Sequence, residues 1–213
     1  MSHFVGLCFG DFWEEDLEQY YEGAEVEDYI AYTKEEAIEK AIKAHEENYN
    51  YASEMLKKDS LSVEDVNRFT KYVEEGPSLS REKAWEEVMK WGYKRDQADN
   101  LISNYNPDSK WDWYEVGGRW DGFLALKERD AEGNPKTTNR AYVNEIDWEW
   151  MSENGYPPFC FVDLGGYWHE KGEMGWWGIS FNDQPINEWK QEYEDYVKQL
   201  DPDCLVTVVD FHI

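Results

Sequence analysis

A segment in the second half of the chain brings together aromatic rings, two cations and a glycine pair. Residues 106–120 read NPDSKWDWYEVGGRW, with Gly117-Gly118 after the aromatic run. The rings offer faces on which a planar group can stack, and Arg119 is a bidentate donor for phosphate or carboxylate. The same pattern is also typical of tryptophans that fill a small sheet, with Arg119 paired to an acid. The candidate ligand-binding residues of this segment are Lys110, Trp111, Trp113, Arg119 and Trp120.

A second segment, residues 168–178 (WHEKGEMGWWG), places glycines on both sides of a tryptophan pair. Glycine permits close backbone approach and leaves the faces of neighbouring rings open. The histidine of this segment is expected either to be a structural group or to donate a hydrogen bond to a ligand. The candidate ligand-binding residues added here are His169, Trp176 and Trp177.

Sequence signatures of catalysis and of metal binding are weak. The chain contains no G-x-S-x-G, no Walker loop and no G-x-G-x-x-G after a strand. A metal site that draws on His3, His169 or His212 across strands is geometrically possible, but no H-E-x-x-H pair supports it. Carboxylate pairs suited to glycoside hydrolysis stay open. We predict no catalytic residue, no metal and no cofactor, and leave open an enzyme that acts on a small nucleotide.

The three cysteines, Cys8, Cys160 and Cys204, lie far apart and form no C-x-x-C pair. An odd number at this spacing argues against a disulfide framework or a zinc knuckle. Each lies in or beside an apolar stretch, so we expect buried and unreactive thiols. Together with a start that lacks the basic and apolar regions of a secretory signal, this indicates a cytoplasmic protein.

The charge of the chain is strongly negative. Its 213 residues include 47 Asp and Glu against 21 Lys and Arg, a formal net charge of −26. Binding to nucleic acid or to an anionic membrane requires basic side chains, so neither partner is expected, and no apolar run is long enough to span a bilayer. With 17% aromatic residues the chain can build a core, so we expect a folded, soluble protein of undetermined oligomeric state.

The most acidic stretch, residues 11–30, carries nine acids and no Lys or Arg, interleaved with aromatic and aliphatic residues. A charge run is usually a solvated face. Fixed carboxylates on an ordered surface are also what a mimic of the DNA backbone needs to occupy a basic groove. The candidate partner-binding residues of this alternative are Asp11, Glu14, Glu15, Asp16, Glu18, Glu22, Glu25, Glu27 and Asp28.

The first half of the chain is predicted to be one strand followed by helices. Residues 3–9 form a short apolar strand, and Thr33 opens a long helix through a T-K-E-E capping box. Ser62 and Ser80 are further helix starts. Residues 96–105 are predicted to form a fourth, shorter helix.

The second half of the chain is predicted to contain two hairpins. Gly117-Gly118 predicts a hairpin whose return strand is 119–126, and 127–140 is predicted to be a polar loop. Gly165-Gly166 lies between two apolar stretches and predicts the second hairpin.

The end of the chain completes the predicted fold. Residues 186–200 show helical spacing of aromatic residues, and 205–211 form an apolar strand expected at the centre of the sheet beside the N-terminal strand. The order of elements predicts an α+β fold, a mostly antiparallel sheet with an inserted helical block. We expect a single domain, 1–213, with the helical insertion at about 33–105 and the tryptophan-rich sheet portion at 106–213 together with strand 3–9.

Four stretches resemble an uncharacterised family of small proteins encoded largely by phages and prophages. They are HFVGLCFGD (3–11), NPDSKWDWYEVGGRW (106–120), HEKGEMGWWG (169–178) and VVDFHI (208–213). The likeness covers both ends and the middle of the chain, while the helical block is more individual. Phe211 stands where the family often has Cys, which weakens a thiol or metal role for that end.

The resemblance implies phage biology in the cytosol of a host cell, where small phage proteins often counter host defence. We therefore expect an anti-defence protein that sequesters a small nucleotide-like defence signal in a pocket of tryptophans and Arg119. One alternative is an acidic DNA mimic that inhibits a basic host defence protein, such as a CRISPR effector or a restriction nuclease. The other is an enzyme that acts on a small nucleotide. Because the family motifs lie in the aromatic half, the binding pocket is favoured.

Overall fold

The computed structural model describes residues 2–58, 61–175 and 179–213. Its contacts cluster in two units, one formed by Met1–Glu25 with Tyr105–Ile213 and the other by Val26–Asn104. The second unit nearly coincides with the predicted helical insertion. Whether the chain is a single domain stays a prediction.

Helices and short strands come in groups along the chain, as in an α+β fold. The helices are α1 (Trp13–Leu17), α2 (Lys34–Met55), α3 (Val63–Glu75), α4 (Arg81–Val88), α5 (Trp148–Asn154) and α6 (Ile186–Val197). The strands of the first half are β1 (His3–Phe9), β2 (Tyr29–Tyr32), β3 (Lys94–Arg95) and β4 (Leu101–Ser103). Those of the second half are β5 (Trp113–Val116), β6 (Leu124–Arg129), β7 (Pro135–Thr138), β8 (Arg140–Tyr142), β9 (Cys160–Val162), β10 (Trp168–Glu170), β11 (Glu173–Met174), β12 (Ser180–Phe181) and β13 (Leu205–His212). The predicted fold class, α+β with a mostly antiparallel sheet, is confirmed.

The principal sheet is built around the first and last strands of the chain. Its order is β10-β9-β1-β13-β5, with β8 also paired to β13. β1 and β13 run antiparallel over their whole length, from His3 opposite His212 to Phe9 opposite Val206. Among the described strands of this sheet, β1 and β9 form the parallel pair and the other pairs are antiparallel. The prediction of a central terminal strand beside the N-terminal strand is confirmed.

A hydrophobic core lies on each face of this sheet. On one face Val5, Leu7 and Phe9 of β1 pack with α5 and α6. Trp189 of α6 is fully buried there, and its indole Nε1 donates to the carbonyl oxygen of Pro158 at 2.7 Å. The helical spacing predicted for 186–200 is confirmed, because α6 buries every fourth residue against the sheet.

The opposite face is covered by the acidic segment that follows β1. Trp13 and Leu17 of α1 are buried against it, next to Phe4 and Phe211 of the two central strands. Trp111, which precedes β5, joins this core. Trp13 and Leu17 therefore anchor α1 to the sheet, while Glu14 and Glu15 of the same helix are exposed.

Of the two predicted hairpins, one is confirmed and one is wrong. β9 and β10 pair antiparallel across Gly165-Gly166. Gly117-Gly118 does not reverse the chain into a return strand, since β5 pairs with β13 and the glycines lead into a 3₁₀ turn, Gly118–Trp120. Gly117 has φ 76° and ψ −70°, which is not the conformation of a two-residue hairpin turn.

The predicted polar loop at 127–140 is also wrong. β6 continues to Arg129, and β7 follows it in an antiparallel hairpin. The turn between them is closed by Asp130, whose Oδ1 accepts the backbone N–H groups of Glu132 and Asn134. A carboxylate turn of this kind allows polar residues to form a hairpin without an apolar pattern.

The unit of residues 26–104 contains three of the helices and a small sheet. The capping box predicted at Thr33 is present, with its side chain accepting from the backbone of Glu36, and Ser62 and Ser80 cap α3 and α4 in the same way. The fourth helix predicted at 96–105 is wrong, because β4 lies there and pairs with β2 and β3. Asp96 Oδ1 accepts the backbone N–H of Ala98, which closes a turn instead.

None of the helices among the described residues combines the length and the apolar character that a membrane crossing needs.

Candidate functional site at one end of the sheet

Two histidines and a tryptophan form a row across three neighbouring strands. His3 opens β1, His212 ends β13 and Trp113 opens β5, and the strand register places His212 directly opposite both of the others. Residues opposite each other in an antiparallel pair project to the same face. The ring centroids of His3 and His212 are 4.8 Å apart, and Trp113 lies 6.4 Å from His3 and 6.3 Å from His212.

Each histidine is held by an aspartate through the same ring nitrogen. His3 Nδ1 lies 3.0 Å from Asp210 Oδ1, and His212 Nδ1 lies 2.5 Å from Asp112 Oδ1. A carboxylate on Nδ1 sets the orientation of the ring and keeps Nε2 for another partner. Within the part of the chain that the structure describes, neither Nε2 has a hydrogen bond. We call His3, Asp210, His212 and Asp112 the His–Asp cluster.

Asp210 ties the cluster to the glycine turn. This carboxylate is buried, and its second oxygen, Oδ2, accepts the backbone N–H of Arg119 at 2.9 Å. Gly118 makes the approach possible, since a Cβ on it would lie 2.5 Å from Asp210 Oδ2. Gly118 also has φ +51°, a conformation that costs other residues energy. The turn that was predicted as a hairpin therefore serves to bring Arg119 to the end of the sheet.

His3, Trp113 and the turn border an open concavity of about 450 Å³, which we call the sheet-end concavity, while His212 is buried beside His3. The residues lining it are His3, Trp113, Glu115, Val116, Gly118, Arg119, Asp121 and Asp210. Trp113 is half-exposed, with 50% of its surface accessible. The Arg119 guanidinium is exposed and, among the described residues, has no ion pair or hydrogen bond. An indole face and a free guanidinium can together hold a planar ring and a phosphate or carboxylate.

Of the predicted ligand-binding residues, the structure brings Trp113 and Arg119 together in this concavity. Trp120 is partly exposed on the adjoining 3₁₀ turn and does not line it. Trp111 is buried, with its Nε1 donating to the carbonyl oxygen of Leu17 at 3.2 Å. Trp111 therefore contributes to the core, and its side chain does not line the sheet-end concavity with that of Trp113.

The other two predicted polar ligand-binding residues have acidic partners of their own. Lys110 Nζ lies 2.6 Å from Glu170 Oε1, and both side chains are partly buried. His169 Nε2 lies 3.0 Å from Asp163 Oδ2, and its ring stacks on Phe161 with centroids 4.4 Å apart. Trp176 and Trp177 lie outside the described residues. That this wider set binds a ligand stays a prediction.

The four members of the His–Asp cluster share no local pattern in the sequence. The first and last strands are predicted to lie side by side, and His3 and His212 stand near their outer ends. Only the exact register shows that the two rings face each other. Asp112 and Asp210 had no distinguishing signal among 47 acids.

Within the described ranges 2–58, 61–175 and 179–213, no group of three or more His, Cys, Asp or Glu side chains is placed to hold a metal ion. The carboxylates on Nδ1 occupy the positions of orienting partners, which favours proton transfer or hydrogen bonding at Nε2.

Two of the three cysteines are buried like hydrophobic residues, and the third, Cys204, is partly buried. Cys8 and Cys160 lie fully inside the core below the sheet, and burial raises the pKa of both thiols above the ordinary value. Partial burial also raises the pKa of Cys204. Thiols with raised pKa values are poor nucleophiles at neutral pH, in agreement with the expectation from sequence.

The acidic run forms a separate surface. Asp11, Glu14, Glu15 and Glu18 are exposed on or next to α1, with Asp16 half-buried beside them. Among the described residues, none of the nine predicted partner-binding acids has a Lys, Arg or His within ion-pair distance. The remaining four acids of the set are Glu22, Glu25, Glu27 and Asp28, of which the last two belong to the unit of Val26–Asn104.

A comparison of the chain with protein-family models, with curated proteins and with solved structures finds no match.

Proposed function

We propose that the protein binds a small nucleotide-like ligand in the sheet-end concavity. The observation that carries the proposal is the presence in one opening of a half-exposed indole, Trp113, and an exposed guanidinium without a partner among the described residues, Arg119. Trp113 stacks on the base, and Arg119 donates to a phosphate oxygen. The His3 ring lines the same opening and supplies a further polar contact.

The charges around the concavity limit the ligand to few phosphates. Glu115 and Asp121 line it together with Arg119, and the chain as a whole carries a net charge of −26. Such a field repels a polyanion, because binding a long nucleic acid requires many basic side chains. A mononucleotide or dinucleotide needs only one or two phosphate contacts, so this is the size that we propose.

The biological role follows from the phage setting that the resemblance implies. A phage protein that holds a nucleotide-like signal removes it from the host effector that responds to it. We propose sequestration of such a defence signal as the role, and binding itself as the property to test first.

Binding can be tested by calorimetry and thermal shift with a panel of cyclic dinucleotides, linear dinucleotides and ADP-ribose. We expect at least one member to raise the melting temperature of the wild-type protein. Arg119→Ala should abolish that shift while leaving the melting temperature of the free protein unchanged, since the side chain has no partner in the described structure. Lys136→Ala removes one positive charge from the exposed hairpin β6–β7 and serves as the charge-matched control.

Two results would contradict the proposal. One is the absence of any shift across the panel. The other is a shift that Arg119→Ala and Lys136→Ala alter equally, since binding would then depend on net charge and not on the sheet-end concavity.

A second candidate function rests on the acidic run. Seven of its nine acids lie in the unit that contains the sheet, and no cation neutralises them within the described residues. Trp13 and Leu17 fix α1 to the sheet, so its carboxylates stand on an ordered support. Ordered and unpaired carboxylates suit a basic groove on a partner protein, as the DNA-mimic alternative requires.

This candidate is tested by combining Glu14→Gln, Glu15→Gln and Glu18→Gln and measuring capture of a host nucleic-acid-binding defence protein. We expect the variant to lose capture and the wild-type interaction to weaken steeply with added salt. Neutralising Glu39, Glu46 and Glu47 on α2 gives a control of equal charge change. Equal capture by the two triple variants would exclude the face formed by α1.

A further inference from the structure

We propose that helices α5 and α6 form a second binding site, for a small apolar molecule that carries one carboxylate. The site is a cavity of about 550 Å³, which we call the helix-pair cavity. The described residues that line it are all different from those that line the sheet-end concavity. The inference therefore goes beyond the proposed function and does not depend on nucleotide binding.

The walls of the helix-pair cavity are mainly apolar. Met151 of α5 and Val197 of α6 line it from the two helices, and Val143 lines it from the segment after β8. Trp148 adds an indole whose polar atom is already satisfied, because Nε1 donates to the carbonyl oxygen of Val143 at 3.0 Å. Apolar walls around a cavity of a few hundred Å³ are typical of sites for small ligands, and an apolar ligand that covers them is stabilised by its removal from water.

Two hydrogen bonds between partly buried residues hold the helices beside the cavity. Ser152 Oγ donates to Glu194 Oε1 at 2.7 Å, and Lys190 Nζ donates to the carbonyl oxygen of Ser152 at 2.6 Å. All three residues line the cavity, and both bonds join α5 to α6. The packing of the two helices therefore forms the cavity before any ligand enters, which lowers the cost of binding.

The charges at the cavity differ from those of the chain as a whole. Three lysines line it, Lys127, Lys190 and Lys198, against two glutamates, Glu149 and Glu194. In the whole chain, 47 acids stand against 21 Lys and Arg. The field of the chain repels an anion, so the attraction of an anion to this cavity would have a local cause in its lysines.

We assign Lys127 to the carboxylate of the ligand. Its Nζ donates to the carbonyl oxygen of Asn144 at 2.7 Å, and among the described residues no carboxylate lies within ion-pair distance of it. Lys190 and Lys198, by contrast, each have an ion-pair partner on α6. An ammonium group has three donors, so Lys127 can hold a carboxylate and keep its bond to Asn144.

These features set the class of ligand. A single cation without an acidic partner in the described part of the cavity suits one negative charge. A body rich in polar groups would lose its hydration against apolar walls without new hydrogen bonds, so the body of the ligand is hydrocarbon. A medium-chain fatty acid and an aromatic acid both meet these conditions.

Calorimetry on the full-length protein tests the ligand class. The probes are decanoate, 1-naphthaleneacetate and decylammonium, each below the concentration at which it forms micelles. We expect at least one of the two acids to bind saturably with one molecule per chain, and decylammonium to bind more weakly. A net charge of −26 favours the cation over the rest of the surface, so a preference for the acid requires a local site. Acids that bind no better than decylammonium, or that do not bind, overturn the proposal.

Two substitutions locate the bound acid. Lys127→Gln should lower its affinity at least about threefold, the effect of one exposed ion pair. Lys136→Gln, on β7, is the control of equal charge change. Val143→Phe narrows the cavity and should also weaken binding, whereas Val66→Phe, on the exposed part of α3, should leave it unchanged.

The variants give two results that would overturn the proposal. One is an equal affinity of Lys127→Gln and Lys136→Gln for the acid, since binding would then follow net charge. The other is a folded Val143→Phe that binds like Val66→Phe, since the ligand would then lie elsewhere. If circular dichroism shows that Val143→Phe does not fold, the comparison of Lys127→Gln with Lys136→Gln decides alone, because both of these residues are exposed. A nucleotide panel without a thermal shift would contradict the proposed function and leave this inference intact.

Discussion

His3 and His212 face each other across the two central strands of the sheet, and each ring is bound through Nδ1 by its own aspartate. The two residues stand almost as far apart in the sequence as the chain allows. Their contact depends on the full antiparallel register of β1 and β13, so the strands that form the centre of the fold also build the site. The stability of the sheet and the function of the site should therefore respond to some of the same substitutions.

Gly118→Ala is predicted to damage the sheet-end concavity. The added Cβ would lie 2.5 Å from Asp210 Oδ2, at a residue with φ +51°. We expect a loss of stability of more than about 1 kcal/mol, the cost of the backbone conformation alone, together with loss of ligand binding. Gly133→Ala is the control, because Gly133 has φ +88° in the turn between β6 and β7 with no atom within 4 Å of the added Cβ. Urea denaturation measures the free energy of unfolding of both variants. Equal losses of stability in the two variants would show that the close approach of Asp210 to Gly118 does not require a glycine.

Asp210→Asn is predicted to disturb both partners of this carboxylate. Asp210 is buried and accepts from the Arg119 backbone N–H while binding His3 Nδ1. An asparagine presents one acceptor and one donor, so one of the two contacts is lost inside the protein, at a cost of about 1–3 kcal/mol. Asp112→Asn should cost less, because Asp112 is more exposed. The free energies of unfolding from urea titrations test the order, and a larger loss for Asp112→Asn would contradict it.

Tyr193→Phe is predicted to be neutral or stabilising. Tyr193 lies on the buried face of α6, and its buried hydroxyl has no hydrogen-bond partner within the described residues. Burial raises the pKa of this phenol, so it stays neutral throughout the working pH range. Removing an unpaired buried hydroxyl should raise stability by about 1 kcal/mol or leave it unchanged.

Trp189→Phe, one turn earlier on α6, is the contrasting variant. It loses the hydrogen bond from Nε1 to the carbonyl oxygen of Pro158 and leaves a gap in the core, so we expect a loss of about 2 kcal/mol. Thermal denaturation should separate Trp189→Phe from Tyr193→Phe by several degrees. A destabilised Tyr193→Phe would show that the hydroxyl has a partner after all.

Lowering the pH is predicted to remove the contribution of Asp147 to the stability of the fold. Its carboxylate caps α5 by accepting the backbone N–H of Trp150 at 3.0 Å, and it pairs with Arg129. These contacts, the backbone hydrogen bond first, hold the pKa of Asp147 below its ordinary value. Because the pKa of Asp147 is lower in the folded protein, its carboxylate stabilises the fold at pH values above the unfolded-state pKa of about 3.9. This contribution is lost as the pH falls through the pKa of the folded state.

The measurement compares wild type with Asp147→Ala across pH. At pH 7 we expect Asp147→Ala to cost about 1 kcal/mol, the usual value of a helix cap, and this difference should shrink as the pH is lowered below about 3.9. Asp147→Asn keeps a cap acceptor and is the control for the charge alone. A difference that stays constant down to pH 2.5 would mean that the carboxylate contributes nothing through its ionisation.

The elements that could be predicted from sequence are those whose signals are local. The capping box at Thr33 and the four-residue spacing of α6 each depend on a few neighbouring residues, and both are present. The apolar ends of the chain predicted two adjoining central strands, and this is also confirmed. The wrong hairpin at Gly117-Gly118 has a non-local cause, because β5 finds its partner in β13, far along the chain.

Only part of the candidate site could be predicted from the sequence, for the same reason. Trp113 and Arg119 stand in one distinctive segment, so their proximity could be predicted, and both line the sheet-end concavity. Lys110 belongs to that segment too, but its partner Glu170 comes from β10 and could not be foreseen. The His–Asp cluster combines residues from both ends of the chain with Asp112. Only the strand register brings these side chains together.

The most direct test of the central claim uses the four histidines of the chain as reporters. Protein labelled with ¹⁵N-histidine is titrated with the dinucleotide that gives the largest thermal shift, and the imidazole resonances are followed by NMR. Occupation of the sheet-end concavity should shift the signals of His3 and His212 and leave those of His45 and His169 in place. Movement of the His169 signal, with those of His3 and His212 unchanged, would contradict the account.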